Sequence, residues 1–303
     1  MKEELQNIPR VIGKYEGEKG GPLLLVTAGV HGNEPSGVYA LKTIFAELEK
    51  NNPSIKGTFI GISGNHKALQ QGKRFIEEDL NRTWKEKNLK KEEPDSHEQK
   101  EMREIIKLLE DYSKEKFSER YFVDCHTTSS DSLPYISVQE VGKNDDFAHK
   151  FPGYIVRGFS DIVDGSIDKY FSKQEITGFT FEAGQHTAKT SQANHEAIIW
   201  LALKEACMLD LNEVSCYPQC IDTFKDKFED GQKTFKIVYR HGIEDNSEFK
   251  MEPGFENFEK ISEGQLLAIQ DGKEIKSKWN ARIFMPLYQS QGNDGFFVIE
   301  EAN

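Results

Sequence analysis

The chain has 303 residues, a formal net charge of −12 at pH 7, and 37% hydrophobic and 11% aromatic residues, enough for one large domain or for a core domain plus a smaller one. The negative balance excludes a broad nucleic-acid or anionic-membrane surface, whose phosphates it would repel, but leaves room for a locally basic pocket that takes a small anion. The stretch Met1 to Pro9 lacks the apolar core of a signal peptide and the longest apolar run, Ala197 to Leu203, is far too short to span a bilayer, so a cytoplasmic protein is expected.

Leu23 to Ala28 is an apolar run between Gly20-Gly21-Pro22 and Gly29, the pattern of a buried strand in a parallel sheet. The following residues, Gly29-Val30-His31-Gly32-Asn33-Glu34-Pro35-Ser36-Gly37, make a strand-to-helix turn at the carboxyl end of that strand. In open α/β sheets this edge is where ligands bind. His31 and Glu34 are both competent to bind a divalent metal, and the flanking glycines let the backbone bend and leave room beside it. The turn therefore reads as half of a zinc site. Val38, Leu41, Phe45 and Leu48 then recur at helical spacing, with Asn51-Asn52-Pro53 as the stop. Thr58 to Ser63 is a second strand, and the two strands joined by the helix form one right-handed crossover unit.

From Gly64 to about Asp95 the periodicity fades into a long polar loop that carries Arg74 and Asp79-Leu80-Asn81-Arg82; loops of this length inside compact domains are often functional. The charged run Lys85 to Glu93 reads as a solvated face. Met102, Ile105, Ile106 and Leu109 mark an amphipathic helix that starts near Asp95 or Ser96. Tyr121 to His126 is the next strand, again ending in a histidine and followed by Thr127-Thr128-Ser129-Ser130. Pro134 to Val138 predicts a further strand, Asp145 to Lys150 a short helix, and Gly165 to Tyr170 the opening of another. Phe179 to Gly184 is strand-like and carries Glu182 near its end, and Gln192 to Leu211 is a long apolar-rich helix.

After about Ser215 the pattern changes to short strand-like runs, Phe235 to Tyr239, Leu266 to Ile269, Arg282 to Met285 and Phe296 to Ile299, separated by Gly, Asp-Gly and Pro turns. This predicts an α/β domain over residues 1–214, with a mixed, largely parallel sheet flanked by helices, and a smaller C-terminal β domain over 215–303. The four cysteines fit reduced thiols better than a disulfide framework. Cys216 and Cys220 have knuckle-like spacing but no second pair, so they read as ordinary thiols near the boundary.

Three strands end in metal-competent or acidic residues: His31 with Glu34, then His126, then Glu182. Parallel strands present their carboxyl ends at one edge, so these residues can converge although they are far apart in sequence. Two histidines and a carboxylate are the ligand set of catalytic zinc hydrolases, with a fourth position left for water. Glu182 then fits a general base that takes a proton from that water and passes it to the leaving amine, although it also fits a plain strand end. The remaining histidines, His66, His97, His149, His186, His195 and His241, lack such context and read as structural or exposed. Arginine forks suit an anionic substrate. Asn81 and Arg82 could hold its carboxylate while Arg74 polarises the scissile carbonyl; the bland alternative for Asp79 to Arg82 is a capped turn with a surface ion pair.

Taken in order, Gly29-Val30-His31-Gly32-Asn33-Glu34, Asp79-Leu80-Asn81-Arg82, Asp124-Cys125-His126-Thr127-Thr128 and Phe181-Glu182-Ala183-Gly184 resemble the succinylglutamate desuccinylase and aspartoacylase family of the zinc carboxypeptidase superfamily. The four motifs cover roughly residues 23 to 185, and the trailing β region is similar to the family's small C-terminal domain. The resemblance implies a zinc-dependent amidohydrolase that deacylates an N-acyl amino acid, with one zinc ion per chain. Carried over by motif, His31, Glu34 and His126 would bind zinc, Arg74, Asn81 and Arg82 would contact substrate, and Glu182 would activate water. Gly165 to Tyr170 resembles the glycine-led segment of desuccinylase-like members. Two features depart from the aspartoacylase pattern. The arginine shortly before the catalytic glutamate is missing, since Phe171 to Phe181 contains only Lys173, and the C-terminal substrate-contacting tyrosine has no secure match, with Phe296-Phe297 and Tyr288 as candidates. A small anionic substrate is thus expected, with no nucleic-acid or membrane partner, while the acyl group, the amino acid and self-association stay open. Two other readings are a zinc carboxypeptidase acting on short peptides and a catalytically silent metal- or ligand-binding relative; a retained Glu182 speaks against the latter.

Overall fold

The computed structural model describes residues 5–214, 219–244 and 246–302. Among them, eleven strands form one mixed sheet and three more form a small antiparallel sheet. The strands in chain order are β1 (Val11–Glu16), β2 (Glu18–Ala28), β3 (Lys56–Ser63), β4 (Arg120–Thr128), β5 (Tyr135–Ser137), β6 (Tyr154–Arg157), β7 (Thr177–Gln185), β8 (Thr234–Gly242), β9 (Phe249–Met251), β10 (Lys260–Ile261), β11 (Leu266–Gln270), β12 (Lys273–Lys276), β13 (Ala281–Phe284) and β14 (Asp294–Glu301). The large sheet runs β1-β3-β2-β4-β7-β5-β6-β8-β14-β13-β10, and the small one β12-β11-β9.

The centre is parallel. β2 pairs in parallel with β3 and β4, and β4 in parallel with β7. The two strands and the helix read from residues 23 to 63 are present as β2, the helix Ser36–Asn51 and β3, and Asn52 ends the helix in the left-handed region. Along the central strands, alternate residues go to opposite faces. Val26, Val123, Cys125, Phe179 and Phe181 join a core that includes Val38, Leu41 and Phe45 of that helix and Ile198 and Leu203 of the helix Thr190–Cys207. Leu23, Leu25 and Phe122 join a second core, with Met102 and Ile105 of the helix His97–Glu110 and Phe171 of the helix Ile167–Lys173. Both faces are covered, which is why these strands read as nearly continuous apolar runs.

The long region from Gly64 to Asp95 contains the short helices His66–Gln71 and Glu86–Leu89 and the 3-10 turn Leu80–Arg82. Ser96 caps the amphipathic helix, its side chain accepting from the Gln99 N–H. The C-terminal region begins with a helix that the strand pattern did not announce, Gln219–Asp226, whose Ile221 and Phe224 enter the first core. Its strands continue the large sheet: β6 pairs in parallel with β8 and β8 antiparallel with β14. The sheet thus crosses the predicted 214/215 boundary, and β9, β11 and β12 alone form the small sheet. Cys125, Cys207 and Cys220 are free thiols, whereas Cys216 lies outside the described residues. No helix among the described residues is long and apolar enough to cross a membrane.

Candidate functional site

The turn after β2 is built by close approach. Gly29 has φ of +69°, and a Cβ on Gly32 would stand 2.0 Å from the Ala68 carbonyl carbon. Only the missing side chain lets the helix His66–Gln71 lie against the turn. The Glu34 N–H donates to the His31 carbonyl at 3.1 Å, which puts both side chains on the inner side of the loop, where they are 4% and 2% exposed.

His126 comes to this turn from β4. Thr27 of β2 is in register with Asp124 of β4, and His126 with Glu182 of β7. Alternation puts Asp124 and His126 on one face of β4, and Thr180 and Glu182 on one face of β7. His31, Glu34 and His126 are all buried, and their ligand-type atoms lie within 4.8 Å of one another. His31 Nδ1 is 2.9 Å from Glu34 Oε1, and His126 Nδ1 is 3.3 Å from Glu34 Oε2. The other nitrogen of each ring is engaged by a carboxylate: His31 Nε2 by Asp79 Oδ1 at 3.1 Å and His126 Nε2 by Asp124 Oδ2 at 2.9 Å. A carboxylate on the far nitrogen fixes the tautomer and turns the near nitrogen toward a metal. Thr27 donates its hydroxyl to Asp124, and the Thr127 N–H donates to Glu34 Oε2 at 2.9 Å. Two imidazoles and one carboxylate, buried, mutually facing and backed by carboxylates, fit a divalent zinc-type ion.

The electrostatics follow from this packing. Burial would raise the Glu34 carboxyl, but His31 and His126 outweigh it and hold it well below the usual range. Asp79 is likewise held well below despite burial, chiefly by Arg74 and then His31. Burial would lower His126, yet Asp124 and Glu34 lift it well above an ordinary histidine. Glu182 moves the other way: burial pushes it up to about 8, Glu34 and Asp124 add to this, and His126 and Arg74 oppose it. Its Oε2 is buried without a hydrogen-bond partner.

All seven residues singled out from the sequence, His31, Glu34, His126, Glu182, Arg74, Asn81 and Arg82, line one cavity. Arg74 binds Asp79 through Nε at 3.1 Å and Nη2 at 2.9 Å, with Nη1 3.6 Å from Glu34 Oε1. Asn81 Oδ1 accepts the Ile167 N–H at 2.9 Å, tying the loop to the helix Ile167–Lys173. Arg82 pairs with Asp294 of β14 at 2.9 Å. Phe297 lines the cavity too, whereas Tyr288 is 38% exposed and its hydroxyl binds the Glu252 carbonyl and the Phe255 N–H.

Sequence reading quoted Asp79, Asp124, Ser166 and Asp168 only within longer motifs, without a role of their own, and did not single out the cavity residues Ser137, Gln139 and Thr180. Asp124 had a signal, since it stands two residues before His126 on a strand; the others acquire meaning only from the packing of β5, β7 and the helix Ile167–Lys173. His186 hydrogen-bonds Thr127 and lies outside this cavity, and His195 is buried between Ser36 and the His126 carbonyl. A second metal-type group, His66 with Glu101 and Glu104, has the Arg10 guanidinium bonded to both carboxylates. That cation already supplies the compensating charge.

Residues 20–198 match the model of the succinylglutamate desuccinylase/aspartoacylase catalytic domain. A succinylglutamate desuccinylase of Ectopseudomonas mendocina is 24% identical over 284 residues, 87% of this chain and 78% of that protein. One from Pseudomonas paraeruginosa is 29% identical over 104 residues, 34% of this chain and only 30% of the relative's length. A crystal structure described as succinylglutamate desuccinylase from Vibrio parahaemolyticus superposes with a TM-score of 0.67 at 12% identity, covering 100% of this chain and 95% of that one, and so shows a shared fold.

Proposed function

The chain belongs to the succinylglutamate desuccinylase/aspartoacylase family, and from that premise we propose that it is a zinc-dependent deacylase that cleaves the amide bond of a small N-acyl amino acid. The observation that carries this reading is Glu182, a buried carboxylate in register with His126 that lines the same cavity as the His31–Glu34–His126 group and whose Oε2 has no hydrogen-bond partner. A buried carboxylate left without a partner beside a metal-competent group suits a general base. His31, Glu34 and His126 would hold the ion, with Asp79 and Asp124 orienting the imidazoles. When bound, zinc supplies the Lewis acidity that activates water and polarises a carbonyl.

Around that ion the chain's own groups do the rest. Glu182 Oε2 accepts a proton as the water oxygen attacks the amide carbonyl carbon. It then returns that proton to the nitrogen as the carbon–nitrogen bond breaks, releasing a carboxylate and an amine. Arg74, held by Asp79 and with Nη1 3.6 Å from Glu34 Oε1, turns that edge toward the oxygen on which negative charge develops. Arg82, with Asn81 beside it, holds the substrate carboxylate; Phe297 and Met285 add apolar wall.

The test is zinc content together with hydrolysis of a panel of N-acyl amino acids and short peptides, for the native protein and for Glu182→Ala. The native protein is expected to bind about one zinc per chain and to hydrolyse N-acyl amino acids in preference to peptides. Glu182→Ala is expected to keep its zinc and lose activity about 10²–10⁴-fold. A fully active variant would remove Glu182 from the chemistry, and a native protein that binds no divalent metal would end the reading.

A further inference from the structure

Beyond the His31–Glu34–His126 group, the same cavity reaches a second set of buried polar side chains. Asp168 sits in the first turn of the helix Ile167–Lys173 and is 4% exposed. Its Oδ2 accepts from Gln139 Nε2 at 2.8 Å, and its Oδ1 from the Lys169 N–H at 2.7 Å. Among the described residues no cationic side chain pairs with it. Arg74 is bound to Asp79, Arg82 to Asp294 and Lys169 to Asp164 at 3.6 Å, and Lys173 is exposed on the outside of the helix.

Because the carboxylate can only accept, the Gln139 amide turns its NH2 toward Asp168 and its oxygen away. That oxygen, Oε1, is buried with no donor, and so is Ser166 Oγ. Gln139 is 2% and Ser166 5% exposed, and both line the cavity beside Asp168. A buried carboxylate without a counter-ion and a buried carbonyl oxygen without a donor are each costly to maintain. One ligand group satisfies all three side chains at once: a positively charged group with several N–H donors.

We propose that Asp168, Gln139 and Ser166 form a subsite for an ammonium group on the substrate, so that the favoured amino acid carries an amine at the end of its side chain. The inference rests on the deacylase reading above and names the substrate class of that same site. The charge layout favours it over a second carboxylate, which would face Asp168 with no cation to hold it. Arg74, with Nη1 3.6 Å from Glu34 Oε1, repels an ammonium from the metal end while Asp168 attracts it, which favours one orientation. Tyr135 is in register with Glu182 and Ser137 with Thr180, and Gln139 follows two residues beyond Ser137, so the subsite lies along the cavity wall away from Glu182.

The test uses zinc-loaded protein and two matched sets of ligands: ornithine, lysine, norleucine, glutamine and glutamate for binding by calorimetry, and their Nα-acetyl derivatives for hydrolysis. In the native protein the ammonium-ended members are expected to bind, and their derivatives to react, about tenfold or more better than the methyl-ended norleucine, with the carboxylate-ended member weakest. Asp168→Asn is expected to reduce that ratio about tenfold, and Ser166→Ala severalfold. If the variants do not fold, the native ranking alone decides. Equal or tighter binding of norleucine or glutamate, no measurable binding of ornithine and lysine, or a folded Asp168→Asn protein that keeps the preference would overturn the subsite. Hydrolysis without an ammonium preference removes the subsite and leaves the deacylase reading standing. An ammonium preference in binding with no hydrolysis of any derivative does the reverse.

Discussion

At the scale of single residues, the site is governed by what stands behind each histidine. Asp79 and Asp124 decide which nitrogen of His31 and His126 is left to face inward, a choice that the histidines by themselves leave open. His195 shows the same dependence on surroundings. It lies wholly buried between the Ser36 hydroxyl and the His126 carbonyl, and burial lowers it to about 3. In the unfolded chain a histidine titrates near 6.5, so between these values the unfolded chain holds a proton that the folded one does not. The stability that comes from keeping His195 neutral is present at neutral pH and is lost as pH falls below about 6.5, by about 1.4 kcal/mol per pH unit. Urea unfolding at pH 7 and pH 5 should show a loss of about 2 kcal/mol in the native protein that is absent from His195→Asn. Equal losses in the two proteins would show that His195 contributes nothing to the acid sensitivity.

Elements carry these residues to one place through their periodicity. His31 and Glu34 were legible because turn, glycines and ligands lie within one short stretch. His126 and Glu182 were legible because each ends an apolar strand, although their pairing is a matter of register between β4 and β7. Where periodicity is short or interrupted, the sequence said less. The helix Gln219–Asp226 is brief and followed at once by strand-like runs, and β1 and β6 carry no strong alternation. The turn itself depends on space at Gly32, whose added Cβ would meet backbone atoms of Ala68 rather than a side chain that could swing aside. Gly32→Ala should therefore cost about 1–3 kcal/mol in denaturant unfolding and weaken zinc binding, since His31 moves with the turn. Unchanged stability and metal affinity would show that the turn yields more easily than its packing implies.

For the whole molecule, the sheet is the unit that completes the cavity. β8 and β14 extend it past β6, and β14 brings Asp294 to Arg82 and Phe297 to the cavity wall. A chain ending at residue 214 would leave the β6 edge unpaired and Arg82 without its carboxylate. It is expected to lose cooperative thermal unfolding and high-affinity zinc binding, as circular dichroism and metal titration would report. A cooperative fragment with native zinc affinity would instead establish residues 1–214 as an independent unit. The sequence by itself determined the central strands, the His31–Glu34–His126 group at their carboxyl ends and the family, because these are written in local apolar runs and short motifs. Only the tertiary structure decided which carboxylates orient the histidines, that Arg82 is paired with Asp294, and that Asp168 is buried without a cation. Those facts depend on charges brought together from distant parts of the chain, and no local pattern encodes which partner a charge will meet.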